Sequence, residues 1–162
     1  MTVVRYNRIK EMLGEKGAAA VRTGDKWLTA LPYIVYPAMI GWRWAAGGAI
    51  PWRELWAPAS WLAIVSLLRA LIDRPRPYEQ PGFVPIIHRE EKGKSFPSRH
   101  VFSAAVIAVT GLWVWPPLGI PLGLAALLLG AARVLGGVHH LSDVIAGAAI
   151  GVAAGILGYW II

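Results

Sequence analysis

No cysteine occurs anywhere in the 162 residues, which removes disulfide frameworks and thiolate metal sites and leaves thiol usage silent about redox compartment. Acidic residues are scarce: nine Asp and Glu against sixteen Lys and Arg give a net charge of +7. Such an excess suits nucleic acid, anionic lipid or a phosphorylated substrate. The basic residues lie beside apolar runs rather than on a polar face with interleaved aromatics, and on that pattern nucleic acid is set aside as a partner. There is no HExxH pattern, no internal repeat and no low-complexity segment. An apolar run is also missing before Trp27, where Arg5, Arg8, Lys10, Glu11, Glu15, Lys16 and Arg22 intervene, so no cleavable signal is expected.

What is present is hydrophobic. Apolar residues make up 56% of the chain, with nine Trp and a mean hydropathy of +0.51, a composition that makes the bilayer the expected solvent. Residues 1–18 place Tyr6, Ile9, Met12 and Leu13 near one helical face and charges mostly elsewhere, which predicts an interfacial amphipathic helix. Five apolar segments follow: Trp27 to about Ala46, Trp56 to Ile72, Val101 to Trp115, Leu122 to Leu135, and Leu141 to Ile162. The fourth is short for a span unless the WPPLGIP turn before it contributes. Gly147, Gly151 and Gly155, four apart, would allow a close helix contact. The expected fold is all-α, a polytopic membrane helix bundle of about five transmembrane helices in a single domain, with residues 1–25 interfacial and 26–162 forming the bundle.

Residues 73–97 are the one polar insertion, and five prolines and two glycines predict a loop lying over one membrane face. His88, Arg89, Glu90, Glu91, Lys92 and Lys94 read there as a solvated run. Counting spans puts the end of the second, the start of the third and the junction of the fourth and fifth on the same face. Three polar islands are thereby brought together: Arg69 and Arg76, then Ser98, Arg99 and His100, then Arg133, His139 and Asp143. Charged groups in a bilayer cost roughly 2.5–3.5 kcal/mol each at a helix centre, so those placed at span ends are functional candidates.

The residue types point to anion chemistry. Arg69, Arg76 and Arg133 are permanently charged and can fork two donors onto oxygens, which suits a multiply charged phosphate or diphosphate. Ser98, after Pro97, is placed to cap the third span, whose free backbone N–H groups would face the same anion. His139 and Asp143 are four apart and His140 and Asp143 three apart, so either histidine can share a helical face with the carboxylate. These three side chains could in principle offer metal ligands, but without a cysteine or a recognised zinc spacing.

At these residues the chain resembles the type 2 phosphatidic acid phosphatase superfamily, which includes the vanadium haloperoxidases. The family's basic residue, six residues, Arg-Pro stands here as Arg69 through Arg76 and Pro77. Its Pro-Ser-Gly-His stands as Pro97 to His100, and its Ser-Arg, five residues, His, three residues, Asp as Ala132, Arg133, His139 and Asp143. The resemblance covers about residues 60–160. It implies that His139 rather than His140 attacks phosphorus to form a phosphohistidine, that Asp143 orients it and that His100 protonates the leaving oxygen. It also implies that Arg69, Arg76, Ser98 and Arg133 hold the phosphoryl oxygens, with no metal or other cofactor required. Arg69 replaces the usual Lys, Arg99 replaces Gly and adds a further guanidinium or turns away, and Ala132 replaces Ser.

The implied activity is hydrolysis of a lipid phosphate or diphosphate, of the polyprenyl diphosphate, phosphatidylglycerophosphate or phosphatidic acid class. The implied partners are that substrate and membrane lipids; the sequence is silent on oligomeric state. A catalytically silent lipid-phosphate binder or transporter is the competing reading, motivated by Arg99 and Ala132. Haloperoxidase chemistry suits a five-span protein poorly. The resemblance further implies a bacterial plasma membrane with the site at the extracytoplasmic face, whereas Arg5, Arg8, Lys10, Lys16, Arg22 and Lys26 on that same face argue by residue counting for the cytoplasm.

Overall fold

The computed structural model describes residues 2–47 and 49–161; Met1, Gly48 and Ile162, which fall in the expected interfacial stretch, the first connector and the end of the fifth span, lie outside them. Five α-helices make up the bundle among the described residues: α1 (Val3–Gly47), α2 (Trp52–Ile72), α3 (Arg99–Val114), α4 (Pro116–Leu135) and α5 (Leu141–Ile156). Among the described residues α2, α4 and α5 are long and apolar enough to cross a membrane, α5 once the π-helical turn Leu157–Ile161 that continues it is included. α3, at 16 residues, is about 24 Å long at the usual rise of about 1.5 Å per residue, and unlike α5 it has no further helical turn continuing it.

The interfacial helix and the first span share α1, which is two helices joined at a kink. The kink falls at Gly14, whose φ of 60° is a conformation that glycine adopts without strain. The leading segment is docked rather than merely resting on lipid. Tyr6 is fully buried, stacks on Phe83 with ring centroids 4.2 Å apart, and donates its hydroxyl to Leu135 O at 3.1 Å while accepting Ile86 N at 2.9 Å. Met12, expected on the apolar face, is 82% exposed. The fourth span gains its length as the sequence required: Trp115 caps α4, and Pro116 and Pro117 supply its first turn, where missing N–H groups cost nothing.

α3 is the axis. Phe102 and every residue from Ala104 to Gly111 are buried, consistent with a helix apolar on all sides. Val65 of α2, Phe102, Val106 and Ile107 of α3, Leu122 of α4 and Ala154 of α5 form one cluster. The glycine stripe of α5 lies against α3. A Cβ on Gly147 would stand 2.5 Å from Ser98 O, and one on Gly151 would stand 2.6 Å from Phe102 O. Because both neighbours are backbone atoms, neither can move aside. That close approach lets Ser98 N donate to Asp143 O at 2.9 Å, joining the second and third islands through main chain.

Gly147→Val should therefore cost about 1–3 kcal/mol through overpacking and lower the melting temperature in detergent. Gly123→Ala, where nothing lies within 4 Å of the new Cβ, should melt at or above the parent because alanine favours helix. Differential scanning fluorimetry of the two variants checks the ordering.

Candidate active site

The 73–97 segment is irregular apart from one turn of 3₁₀ helix at Pro77–Glu79, yet it is a closed structure rather than an open loop. Its two limbs are tied together: Lys94 N donates to Asp73 Oδ1 at 3.0 Å, Ser95 N to Arg74 O at 2.9 Å, and Arg76 Nε to Gly93 O at 3.0 Å. Glu79 Oε1 accepts both Arg76 N and Gly93 N. This closure carries Ser95 and Arg74 onto the third island.

There they meet Asp143, which has no exposed surface. Oδ2 accepts Ser95 Oγ at 2.5 Å and His140 N at 2.9 Å, while Oδ1 accepts Arg74 Nη1 at 2.7 Å. His139 Nδ1 stands 3.7 Å from Oδ2, an ion-pair distance too long for a hydrogen bond, and 3.4 Å from Ser95 Oγ. The imidazole thus turns its Nδ1 edge to Ser95 and Asp143. Burial lowers the pKa of His139 from its ordinary value, opposed by Asp143 and reinforced by the charges of Arg76 and Arg133. A ring kept neutral retains the lone pair that a nucleophile needs.

His140 is differently placed. It is only partly buried, its Nε2 lies 3.3 Å from Pro75 O, and its contact with Asp143 is made by backbone. The triplet His139, His140 and Asp143 does not converge as a ligand set: among the described residues no group of three or more His, Asp or Glu is arranged to hold a metal ion.

All three expected arginines are buried and partly committed. Arg69 Nη1 donates to Pro97 O at 2.5 Å. Arg76 pairs with Glu91 at 3.0 Å, and Arg133 donates from Nη2 to Thr29 Oγ1 at 2.8 Å with Nε 2.9 Å from Asp25 Oδ1. Each uses only part of its donor fork. Ser98 holds the N-cap position of α3 without capping it; its Oγ is buried and has no hydrogen-bond partner. His100, in the first turn of α3, is partly buried. Arg99 is exposed, so the guanidinium that replaces glycine turns outward.

Five contributors were not singled out from the sequence: Arg74, Ser95, Glu91, Asp25 and Thr29. Arg74 and Ser95 adjoin the recognised islands, and proximity to Arg76 and Ser98 was the available signal. Glu91, expected in a solvated run, is 73% exposed at its side chain yet engages a buried arginine.

The constellation and the bundle together define a polytopic membrane enzyme of the phosphatase class. A family model described as the PAP2 superfamily matches residues 52–162, and the chain belongs to that superfamily. Solved structures with a similar fold include LpxE of Aquifex aeolicus, at 21% identity and a TM-score of 0.72, with 96% of this chain and 93% of that one covered. Another is a transmembrane PAP2-type phosphatidylglycerolphosphate phosphatase of Bacillus subtilis, at 22% identity and a TM-score of 0.61, with 96% and 90% covered.

Glu91 holds Nη2 of Arg76, a donor that would otherwise be open to an anion. Glu91→Gln removes the competing charge and should tighten inhibition by orthovanadate, a phosphate mimic, by about two- to fivefold, the range of a solvent-screened ion pair. An inhibition constant measured beside the parent protein checks it; an unchanged or weaker constant would show that the carboxylate does not compete.

Proposed function

We propose that this protein is an integral membrane lipid phosphatase that hydrolyses a lipid phosphate or diphosphate, of the polyprenyl diphosphate, phosphatidylglycerophosphate or phosphatidic acid class, without a metal ion. The observation that carries the reading is the buried His139, with Nδ1 turned to Ser95 and Asp143, at the meeting point of islands that supply three buried arginines. With Nδ1 so engaged, Nε2 is the free nucleophile.

In this mechanism the Nε2 lone pair attacks phosphorus, the bond from phosphorus to the leaving oxygen breaks, and His100 gives that oxygen a proton. A phosphohistidine remains. Water then attacks the same phosphorus, His100 takes the water's proton, the P–N bond breaks, and inorganic phosphate leaves. Arg69, Arg76, Arg133, the unpartnered Ser98 hydroxyl and the positive end of α3 stabilise the charge on the equatorial oxygens, with Arg99 adding charge from the rim. Asp143 holds the orientation of His139 and favours the charge it acquires on attack.

The test is phosphate release from a panel of lipid mono- and diphosphates by detergent-purified protein in excess EDTA, with His139→Ala alongside. Turnover should survive EDTA and vanish in the variant. Because His139 is neutral to below its ordinary pKa, the acid limb of kcat/KM should lie below about pH 6.5 once the substrate's own ionisation near about pH 6 is allowed for. Phosphate-lipid binding with no turnover above the variant would instead favour a silent binder.

The same reading puts the protein in a bacterial plasma membrane with the site at the extracytoplasmic face. The basic N-terminal residues count the other way, but a basic interfacial segment binds anionic lipid on either leaflet. The chain has no native cysteine, so Glu90→Cys reports cleanly. An impermeant maleimide should label it in intact cells; labelling only after lysis would reverse the orientation.

A further inference from the structure

α1 lies outside residues 52–162, the span of the family match, yet it grips a central side chain of the site. Asp25, 3% exposed, sets Oδ1 2.9 Å from Nε of Arg133, itself 2% exposed, and one helical turn on Thr29 Oγ1 accepts Nη2 at 2.8 Å. The two contacts do different work. The Asp25 approach is close but off-axis, leaving Oδ1 and Nε without a hydrogen bond, so the carboxylate acts through charge. Thr29 makes the directional bond. Asp25 Oδ2 also stands 3.8 Å from Arg89 Nη2, which ties the 73–97 segment to the same helix. Together Asp25 and Thr29 occupy the Nε/Nη2 edge of the guanidinium and leave Nη1, on its other side, without a hydrogen bond among the described residues.

A guanidinium held by one edge can present the remaining donors in a fixed direction, and a donor displaced by about 1 Å can cost about a hundredfold in rate. We propose that Asp25 and Thr29 are positioning residues for phosphoryl transfer, holding Arg133 by its Nε/Nη2 edge so that Nη1 faces the transferring phosphoryl group. This rests on the phosphatase reading. It makes α1 a wall of the active site rather than only a membrane anchor.

The carboxylate has two opposed effects on an anion. It aligns Arg133, which lowers the barrier, and it offsets one positive charge, which weakens binding of the ground state. Removing the charge should separate the two. In full-length protein in detergent, Asp25→Asn should lower kcat about tenfold or more, counted per site titrated with orthovanadate, while the orthovanadate inhibition constant stays level or tightens. Thr29→Val should lower kcat in the same sense, and Thr29→Ser, which keeps the hydroxyl, should restore it.

A purely structural ion pair predicts the reverse pattern: fewer titratable sites and a lower melting temperature, with kcat per site intact. That result, or kcat and orthovanadate affinity falling in step, would overturn the proposal. Should Asp25→Asn fail to fold, the Thr29 pair decides alone, because it leaves the charge in place. Absence of turnover in the parent protein sinks the phosphatase reading itself, whereas parent turnover with unaltered Thr29→Val sinks only the positioning role.

Discussion

A carboxylate with no exposed surface cannot stay charged unless the protein replaces the water it has lost, and Asp143 imposes that demand on everything around it. It is met from three directions. Ser95 arrives on the returning limb of the 73–97 segment, Arg74 on the outgoing limb, and the His140 amide from the turn before α5. The closure of that segment, the depth at which α5 enters and the seating of α3 through Ser98 N are all needed to bring these donors to one point. The glycine at 147 belongs to the same requirement, since any side chain there would lift α5 from Ser98 and pull the carboxylate off its partners. Packing and chemistry here are one problem.

The arginines pose the converse problem, and the chain solves it with groups of two kinds. Arg69 rests on a carbonyl, and Arg76 and Arg133 on a carboxylate each as well as a neutral acceptor. The two carboxylates differ in burial. Glu91 sits in solvent and can leave Arg76 at little cost, whereas Asp25 is enclosed and stays with Arg133. Under the proposed function, an incoming phosphate would meet one arginine whose partner is exchangeable and one whose partner is permanent. That asymmetry would distinguish a group that receives the ligand from one that is held ready for it.

Much of this was legible in the sequence, for identifiable reasons. Arg69 with Arg76, and His139 with Asp143, are linked by short fixed spacings, and alternation of apolar segments with polar islands put all of them on one face. What escaped notice has no such local signature. Ser95 meets Asp143 across 48 residues and Thr29 meets Arg133 across 104, through a loop closure and a helix crossing that no periodicity encodes. Glu91 was legible as a solvated charge and is one, but its second role depends on Gly93 turning at φ 63° so that the limb folds back. The docking of the N-terminal segment was hidden for a similar reason: a tyrosine on an amphipathic face looks the same whether it meets lipid or Phe83.

The departures from the family pattern acquire a physical meaning from position. Arg99 stands at the first residue of α3 with its side chain exposed, so the guanidinium that replaces glycine there is turned outward. Ala132 is buried on α4 beside the α4–α5 turn, where its carbonyl accepts Gly136 N at 2.7 Å. The missing hydroxyl leaves that turn intact, and with it the path from Arg133 to His139. Arg69 keeps its charge but spends one donor on Pro97 O, a contact that pins the start of the Ser98 island to the end of α2. A lysine ammonium is a compact point charge, and committing it to that carbonyl would leave it less to offer a phosphate. Under the proposed function the guanidinium's remaining donors would let one residue both hold the islands together and face the ligand.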